Sequence, residues 1–242
     1  MTSPAREIIE NIAPKGVLRA AINLGNPVLA QQRAPDDEPA GISVDLARKL
    51  GQRLGVQTRF VTFDSAGKVF ATVDEDVWDV AFMAIDPVRA EKIRFTEPYV
   101  IIEGTYMVKA DSGFSEVDDV DRDGVRVAVG KGAAYDLFLS RALKHARIER
   151  AETSAAAIDL FVERSLEAVA GVRQPLAAYA AGHPGWRVLE GRFTAIEQAM
   201  AVPRDRAMAG DYLCAFVRDV KASGFVRKAL ARSGQNDAAA AP

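Results

Sequence analysis

The stretch GISVDLARKLGQRLGVQTRFVTF, residues 41–63, holds one predicted helix and one predicted strand. Apolar residues recur in it at the helical spacing of three to four: Ala47, Leu50 and Leu54. This spacing predicts a helix with one apolar face, with Ser43 as its N-cap and Gly55 as its end. Residues 56–63 are rich in β-branched and aromatic side chains, which predicts a strand directly after the helix.

The same alternation extends to both sides of this stretch. Predicted elements are a strand at 18–22, a helix at 66–73, a strand at 80–84, a short helix from Pro87 and an extended segment at 99–108. Strands that alternate with helices predict a parallel sheet with helices on both of its faces.

After residue 108 a polar segment, KADSG, is followed by a second series of elements. Its predicted elements are strands at 125–129 and 166–170 and helices at 133–145, 155–164 and 176–181. Two α/β lobes are therefore predicted. A strand at 197–202 and two amphipathic helices complete the chain, and the pattern leaves open whether they extend the second lobe or return to the first.

The composition excludes several classes of function. In 242 residues, 31 Lys and Arg balance 33 Asp and Glu, so no broad cationic surface and no nucleic-acid partner are predicted. No apolar run approaches the roughly 20 residues of a membrane helix, so no membrane insertion is predicted. The single cysteine, Cys214, and two histidines cannot form an internal disulfide or the set of about four ligands in a closed zinc site. Neither a metal nor a cofactor is predicted.

The two ends of the chain give further expectations. Ser3 and Pro4 predict an N-cap followed by proline at the first helical position. The first residues lack the basic and apolar regions of a secretory signal. The chain as written is therefore expected to be cytoplasmic, and periplasmic if an export signal has been removed. Residues 238–242, AAAAP, are expected to form a frayed tail.

Five short motifs carry a resemblance to a known family. They are GISVDLA at 41–47, LGV at 54–56, WDV at 78–80, PVRA at 87–90 and FTEPY at 95–99. In order and spacing, most of residues 15–135 resembles the family 3 solute-binding proteins of amino-acid ABC transporters. The later part of the chain resembles the family more loosely.

The resemblance implies a fold and a mode of action. The expected fold is periplasmic binding protein-like, type II: two doubly wound α/β lobes joined by a two-strand hinge, with residues 1–108 plus 197–242 in lobe 1 and residues 109–196 in lobe 2. A small-molecule solute would bind in the cleft between the lobes, and hinge closure would remove it from water. The implied protein is a monomer without catalytic residues, and its partner would be an ABC permease.

Arg89 is the first candidate for solute binding, because the arginine of the family's matching turn clamps the carboxylate of the ligand. A planar fork of N–H donors suits two-point binding of a carboxylate. The other interpretation is an arginine paired with Asp86 or Glu91. Ala84 and Asp86 stand where the family usually has hydroxyl residues, so two donors to a carboxylate are missing.

Further candidates surround Arg89 in the first lobe. Asn23 and Asn26 stand at the acidic and aromatic positions of the family's first strand-loop, and they could equally close the turn after the strand. Phe63 is the nearest candidate for an aromatic platform, with a place in the core as the alternative. Phe82 lies near the same strand end as Ala84 and is a candidate contact.

In the second lobe the motif VGKGAAY, residues 129–135, follows a strand and opens a helix. It satisfies neither the spacing of a P-loop nor the three glycines of a dinucleotide fingerprint. The resemblance implies that the backbone at Gly132 and Ala133 approaches the solute. Lys131 would add a positive charge there, or would be a solvated loop residue.

The sequence departs most from the family near Val172, where an aspartate normally receives the ammonium of an amino acid. Here Val172 is followed by Arg173, which either binds the solute or faces outward at the start of a helix. A buried ammonium without a carboxylate would lose several kcal/mol. The predicted solute is therefore a keto acid, a dicarboxylate or an amino-acid-like carboxylate whose amine meets another acid, such as Glu103 or Asp86.

Two other functions stay open at this point. The fold has relatives that resemble cyclohexadienyl dehydratase, and in a lyase of that kind Glu103 or Glu167 would protonate a leaving group after a rise in its pKa. A cytosolic ligand-sensing module of the same fold is the other alternative. It is consistent with the expected cytoplasmic location.

Overall fold

The computed structural model describes residues 5–235 and 238–242, so the predicted cap at Ser3 and Pro4 lies outside the described residues. Helices are α1 (Arg6–Ile12), α2 (Ile42–Leu54), α3 (Ala66–Ala71), α4 (Pro87–Ala90), α5 (Ala134–Ala142), α6 (Ser154–Glu163), α7 (Arg173–Gly182), α8 (Ala207–Ala222) and α9 (Phe225–Arg232). Strands are β1 (Val17–Asn23), β2 (Gln57–Phe63), β3 (Val80–Ala84), β4 (Ile93–Lys109), β5 (Arg126–Gly130), β6 (Arg147–Ala151), β7 (Ala168–Val172), β8 (Trp186–Val188), β9 (Thr194–Pro203) and β10 (Ala239–Ala240).

The chain forms two compact units. The first unit contains Met1–Ile101 and Glu197–Pro242, and the second contains Ile102–Ile196. The first change of unit lies earlier than residue 108, because β4 runs without a break and its two halves belong to different units. The last strand and helices, whose place the sequence pattern left open, belong to the first unit.

The sheet of the first unit is mixed rather than wholly parallel. Its strand order is β2-β1-β3-β9, in which β1 is parallel to β2 and β3, while β9 is antiparallel to β3. The expected frayed tail is wrong, since Ala239 and Ala240 pair with the β4 residues Ile101 and Val100. The N–H of Ala241 also donates to the carbonyl of Tyr99 at 3.1 Å. Small side chains let the tail add a strand to this edge.

Helix α2 confirms its predicted end but not its predicted cap. Gly41, not Ser43, is the N-cap, and a Cβ on Gly41 would lie 2.5 Å from the carbonyl oxygen of Leu29. Ser43 is buried inside the first turn, where its hydroxyl lies 3.3 Å from that of Tyr99. The helix ends at Gly55, whose φ of 72° is left-handed and favours glycine.

The core of the first unit packs α3 against the sheet. It is formed by buried apolar side chains, namely Ala21, Val69, Val73, Trp78, Ala81, Met83, Ile93 and Ala201. Ser65 starts α3 by accepting a hydrogen bond from the N–H of Lys68. Because this packing fixes β1 and β3 side by side, it also fixes where their carboxyl ends lie.

The sheet of the second unit has the order β4-β7-β5-β6, with β8 paired to β4. Strand β5 is parallel to β6 and β7, and β7 is antiparallel to β4. Strand β6 was not predicted, because this edge strand (RIERA) carries three charged side chains in five residues. Helix α5 ends at Ala142, short of His145, because Leu143 has extended backbone angles.

The core of the second unit lies between its sheet and the helices α6 and α7. It contains Met107, Ala128, Ala157, Phe161, Leu166, Val169 and Leu176. Helix α7 begins at Arg173, earlier than predicted, so Arg173 stands directly at the end of β7. Across the described ranges, no helix combines the length and the hydropathy that a membrane span requires.

Candidate functional site

The first unit gathers three predicted site residues at one edge of its sheet. Strands β1, β2 and β3 are parallel, and Asn23 pairs with Phe63. The register between β1 and β3 places Ala84 at the same end. We name this end of the three strands the first carboxyl edge. Parallel sheets commonly bind ligands at such an edge.

The loop after β1 uses both predicted asparagines to close itself. The carboxamide oxygen of Asn23 accepts a hydrogen bond from the N–H of Gly25 at 2.9 Å, and that of Asn26 accepts from Val28 at 3.3 Å. A Cβ on Gly25 would lie 2.3 Å from the carbonyl oxygen of Asp64, so glycine permits this close approach. These turn bonds support the turn-closing interpretation of both asparagines.

The two phenylalanines differ in their surroundings. Phe63 is half-buried and packs against the α3 core. Phe82 is only 3% exposed, and its ring meets that of Tyr99 edge-on at 6.2 Å between centroids. The ring of Phe82 is therefore a core contact, and of the two only Phe63 is kept as a candidate platform.

Arg89 is a buried charge at the first carboxyl edge. It lies on the single turn of α4 and is 1% exposed, and one guanidinium nitrogen donates to the carbonyl of Ala84 at 3.0 Å. Burial lowers the pKa of Arg89 to about 10, while the charge of Asp86 acts in the opposite direction. The guanidinium is thus still charged at neutral pH. A buried guanidinium needs negative charge nearby, and the carboxylate of Asp86 supplies some of it.

Asp86 has a structural task where hydroxyl residues were expected. Its carboxylate accepts from the N–H of Val88 at 2.9 Å and caps α4, whose first residue is Pro87. The side chain is buried, with 4% exposure. The cap fixes the short helix that carries Arg89, so Asp86 positions the guanidinium as well as balancing its charge.

The second unit has an equivalent edge, formed by the carboxyl ends of β5, β6 and β7. Gly130 pairs with Ala151, and Val127 with Ala168, which brings the three ends together. We name this end the second carboxyl edge. Lys131, Gly132 and Ala133 follow β5 there.

The three residues after β5 play different parts. Lys131 is 65% exposed in its side chain and lies 3.9 Å from Glu152, which is typical of a solvated loop lysine. Gly132 has a φ of 70°, and its N–H donates to the carboxylate of Asp136 at 2.8 Å. Ala133 is the N-cap of α5. The backbone N–H groups of Lys131 and Ala133 also donate within the unit, to the carbonyls of Ala151 and Gly130.

Asp136 is a buried acid that the sequence analysis missed. It is 3% exposed and accepts bonds from Arg150 at 3.0 Å as well as from Gly132. The Arg150 guanidinium also donates a hydrogen bond to the hydroxyl of Ser140 at 2.7 Å. Acidic residues in the first turn of a helix are common, so nothing in the sequence singles out this one. Its network holds the Gly132 turn in place.

Arg173 lies at the second carboxyl edge, and its side chain is hydrogen-bonded within the unit. Its Nε donates to Glu103 at 2.7 Å, and its other two nitrogens donate to the carbonyls of Leu189 and Gly191. Glu103 is at this edge because Gly104 pairs with Val172. A solute bound to Arg173, as predicted, would therefore compete with three acceptors of the same unit for its N–H groups.

Gln174, beside Arg173, offers a different group. Its carboxamide oxygen is buried, and within the described part of the chain no group donates a hydrogen bond to it. Buried acceptors without a donor are uncommon in folded proteins. A hydroxyl or N–H group of a solute would satisfy this oxygen.

Glu167 does not have the properties of the predicted proton donor. It precedes β7, at the end of the strand opposite to the second carboxyl edge. It accepts hydrogen bonds from the backbone and side chain of Arg126, and these bonds lower its pKa. A general acid in a lyase needs a raised pKa, so the expectation for Glu167 is wrong.

A buried ion network in the first unit was not predicted. Asp79 is fully buried and accepts from the backbone N–H of Arg19 at 2.9 Å, from the Arg19 guanidinium at 2.7 Å and from Arg206 at 2.9 Å. Asp76, at the exposed side of this network, bonds to Lys15 and Arg19. Asp79 belongs to the WDV motif, so this motif is structural.

The Asp76 contacts predict a loss of stability in acid. Hydrogen bonds from Lys15 and Arg19 lower the pKa of Asp76 to about 2, from 3.8. Because the pKa is lower in the folded state, the carboxylate stabilises the fold fully above about pH 4 and loses this effect as the pH falls through about 2. In Asp76→Asn, urea unfolding should show a smaller fall in stability between pH 4 and pH 2. Asparagine tolerates the φ of 50° at this position. Equal slopes for both proteins would contradict the assignment.

The model of the family described as bacterial extracellular solute-binding proteins, family 3, matches residues 18–235. Cyclohexadienyl dehydratase of Pseudomonas aeruginosa is 27% identical over 144 residues, which cover 58% of this chain and 53% of that protein. The match thus spans about half the length of that curated relative.

Solved structures give the same fold. An amino acid ABC transporter substrate-binding protein, AbpA from Streptococcus pneumoniae Canada MDR_19A bound to L-arginine, has a TM-score of 0.79 at 19% identity, covering 93% of this chain and 97% of that chain. The ancestral amino acid-binding protein AncCDT-1, a precursor of cyclohexadienyl dehydratase, has a TM-score of 0.76 at 23% identity, covering 93% and 98%. Both likenesses show the fold, which is the periplasmic binding protein-like α/β fold. The family match over residues 18–235 shows more: the chain belongs to the bacterial extracellular solute-binding proteins, family 3.

Proposed function

We propose that the chain is a solute-binding protein whose solute carries a carboxylate gripped by Arg89. The single observation that carries this proposal is the buried guanidinium at the first carboxyl edge, on a helix of one turn capped by Asp86. Two charge-assisted hydrogen bonds of about 1.5–3 kcal/mol each would supply a large part of the roughly 8 kcal/mol of a micromolar affinity. The arginine-bound relative from S. pneumoniae supports a carboxylate-bearing solute.

We propose further that the solute is a keto acid, a dicarboxylate or an amino-acid-like carboxylate without a free α-amine. Val172 provides no carboxylate for an ammonium group, and the carboxylate of Glu103 at the same edge is already bound to Arg173 and Arg192. An ammonium bound there would compete with these two guanidinium groups for the carboxylate of Glu103. Glu103 balances the charge of Arg173. We therefore expect an ammonium group to be disfavoured by the lack of a carboxylate at Val172 and not by repulsion from Arg173.

A panel of small carboxylates tests the proposal. We expect dicarboxylates or keto acids to raise the melting temperature of the purified chain, and calorimetry to give a higher affinity for them than for amino acids. Lysine and arginine serve as the contrasting members of the panel. Preference for lysine or arginine would refute the proposed class of solute. If no member of the panel binds, the proposal that the solute carries a carboxylate is refuted.

A lyase is the second candidate, and the match to cyclohexadienyl dehydratase is the observation that favours it. Glu167 lies at the end of β7 opposite to the second carboxyl edge, so Glu103 is the remaining candidate for the general acid. Its two oxygens accept hydrogen bonds from guanidinium groups at 2.7 and 3.3 Å. Both oxygens of Glu103 are thus engaged as acceptors within the unit, whereas a general acid must present its proton to the substrate. Turnover of prephenate or arogenate by the purified protein would overturn the proposal of a binding protein.

The partner and the conformational cycle stay predictions. Family 3 proteins work with ABC transporters, and we propose a permease as the partner and a monomer as the working form. Closure on solute binding would appear as a fall in the radius of gyration in small-angle scattering when a binding member of the panel is added. A pull-down that recovers signalling proteins and no permease would favour the ligand-sensing alternative.

A further inference from the structure

The two segments by which the chain enters and leaves the second unit lie side by side. The chain enters this unit at Ile102 and leaves it at Ile196. We name residues 102–106 the entry segment and residues 189–196 the exit segment. The N–H of Phe193 donates to the carbonyl of Gly104 at 3.0 Å, and the N–H of Leu189 donates to the carbonyl of Tyr106 at 2.9 Å, so two main-chain bonds join the two segments.

Gly104 allows this close approach. A Cβ at this position would lie 2.8 Å from the ring of Phe193 and 2.9 Å from the methyl group of Thr194. The ring of Phe193 in turn packs on Tyr106, with 4.6 Å between ring centroids. The buried hydroxyl of Thr105 also lies 3.3 and 3.2 Å from the carbonyl oxygens of Leu189 and Gly191. The two segments are therefore in direct contact through their backbone, this hydroxyl and one aromatic pair.

A second connection between the segments is ionic. One oxygen of Glu103 accepts from Arg173 at 2.7 Å, and the other accepts from Arg192 at 3.3 Å. Arg173 reaches the exit segment too, because it donates to the carbonyls of Leu189 and Gly191. One carboxylate thus ties the entry segment to the exit segment both directly and through the first residue of α7.

We propose that Glu103 is a positioning residue that couples the two segments, so that the entry and exit segments open together rather than separately. Charge-assisted bonds are stronger than neutral ones, and their loss is expected to change local opening more than global stability. The coupling itself does not depend on the proposed function. Only its use in hinge closure, which would involve these segments, rests on that function. Its test needs no solute, so its failure is distinguishable from failure of the proposed function.

Hydrogen–deuterium exchange of the chain without solute tests the coupling. Glu103→Gln should speed exchange by about tenfold in both segments, as expected for the loss of a charge-assisted bond. Arg192→Met, a change on the exit segment, should speed exchange in the entry segment as well. The amides of Ala128 and Val129, which are fully buried in the middle of β5 and do not bond to Glu167, serve as the internal reference for global unfolding.

Glu167→Gln is the matched control. The Arg126–Glu167 pair has side-chain exposures of 38% and 32%, close to the 30% and 38% of the Arg173–Glu103 pair, but it lies at the opposite end of β7. This variant should leave both segments unchanged. Exchange that rises only in the substituted segment, or equally in Glu167→Gln, would overturn the coupling. If Glu103→Gln fails to fold, the response of the entry segment to Arg192→Met decides.

Discussion

Arg89→Ala is expected to weaken binding of the tightest carboxylate of the panel by at least about 100-fold, because two charge-assisted bonds to that carboxylate are lost. Arg89 is 1% exposed, so in Arg89→Ala the solute carboxylate would lose its guanidinium donors at a site where replacement by water costs free energy. The Ala84 carbonyl holds the guanidinium in one orientation, so the bound anion meets a donor that is already placed. Calorimetry of the two proteins with the same solute measures the effect.

Two further variants separate binding from folding. Arg89→Lys keeps a positive charge but loses the planar fork, so it should bind more weakly than the unchanged chain and more tightly than Arg89→Ala. Arg94→Ala removes an arginine that is bonded to Asp211 and to the carbonyl of Ala207 at the surface, and it should bind like the unchanged chain. Equal affinity in Arg89→Ala and the unchanged chain would remove Arg89 from the site.

Asp79→Ala is expected to destabilise the first unit by about 3–5 kcal/mol, the usual effect of removing one partner from a buried ion pair. Asp79 is fully buried and accepts bonds from both the backbone and the guanidinium of Arg19. Without it, the 4%-exposed Arg19 keeps a buried charge with only the more exposed Asp76 to balance it. Urea unfolding at neutral pH measures the change.

The matched control for Asp79 is Asp219→Ala. Asp219 pairs with Arg53 at 2.6 Å, but its side chain is 53% exposed. Exposed pairs contribute about 0–1 kcal/mol, so this variant should change stability little. A loss of similar size in both variants would show that the Asp79 network contributes no more than a surface pair does.

The sequence predicted the helices and strands that have apolar side chains in their interior and a residue such as glycine that marks their end. Strand β3 has apolar side chains throughout and is recovered in full, and α2 ends where Gly55 predicted. Strand β6 was missed because three of its five side chains are charged and it therefore lacks the apolar pattern of a strand, although such charges suit an edge strand. The cap of α2 was misassigned because the φ of 120° at Gly41 depends on the loop packed against it.

The candidate site was only partly predictable, for a physical reason. A single sequence gives the position of Arg89 in a turn after a strand, and the structure places it buried at that strand end. The partners of Arg173 could not be predicted, since Glu103 is 70 residues away and meets it only through the pairing of β4 with β7. Likewise, the burial of Phe82 depends on Tyr99, which lies on another strand.

The most direct test of the account is a crystal structure of the chain with the tightest carboxylate of the panel. We predict both oxygens of one solute carboxylate within about 3 Å of guanidinium nitrogens of Arg89. A solute that is bound with its carboxylate away from Arg89, or held at the first carboxyl edge through an amine instead, would contradict the account.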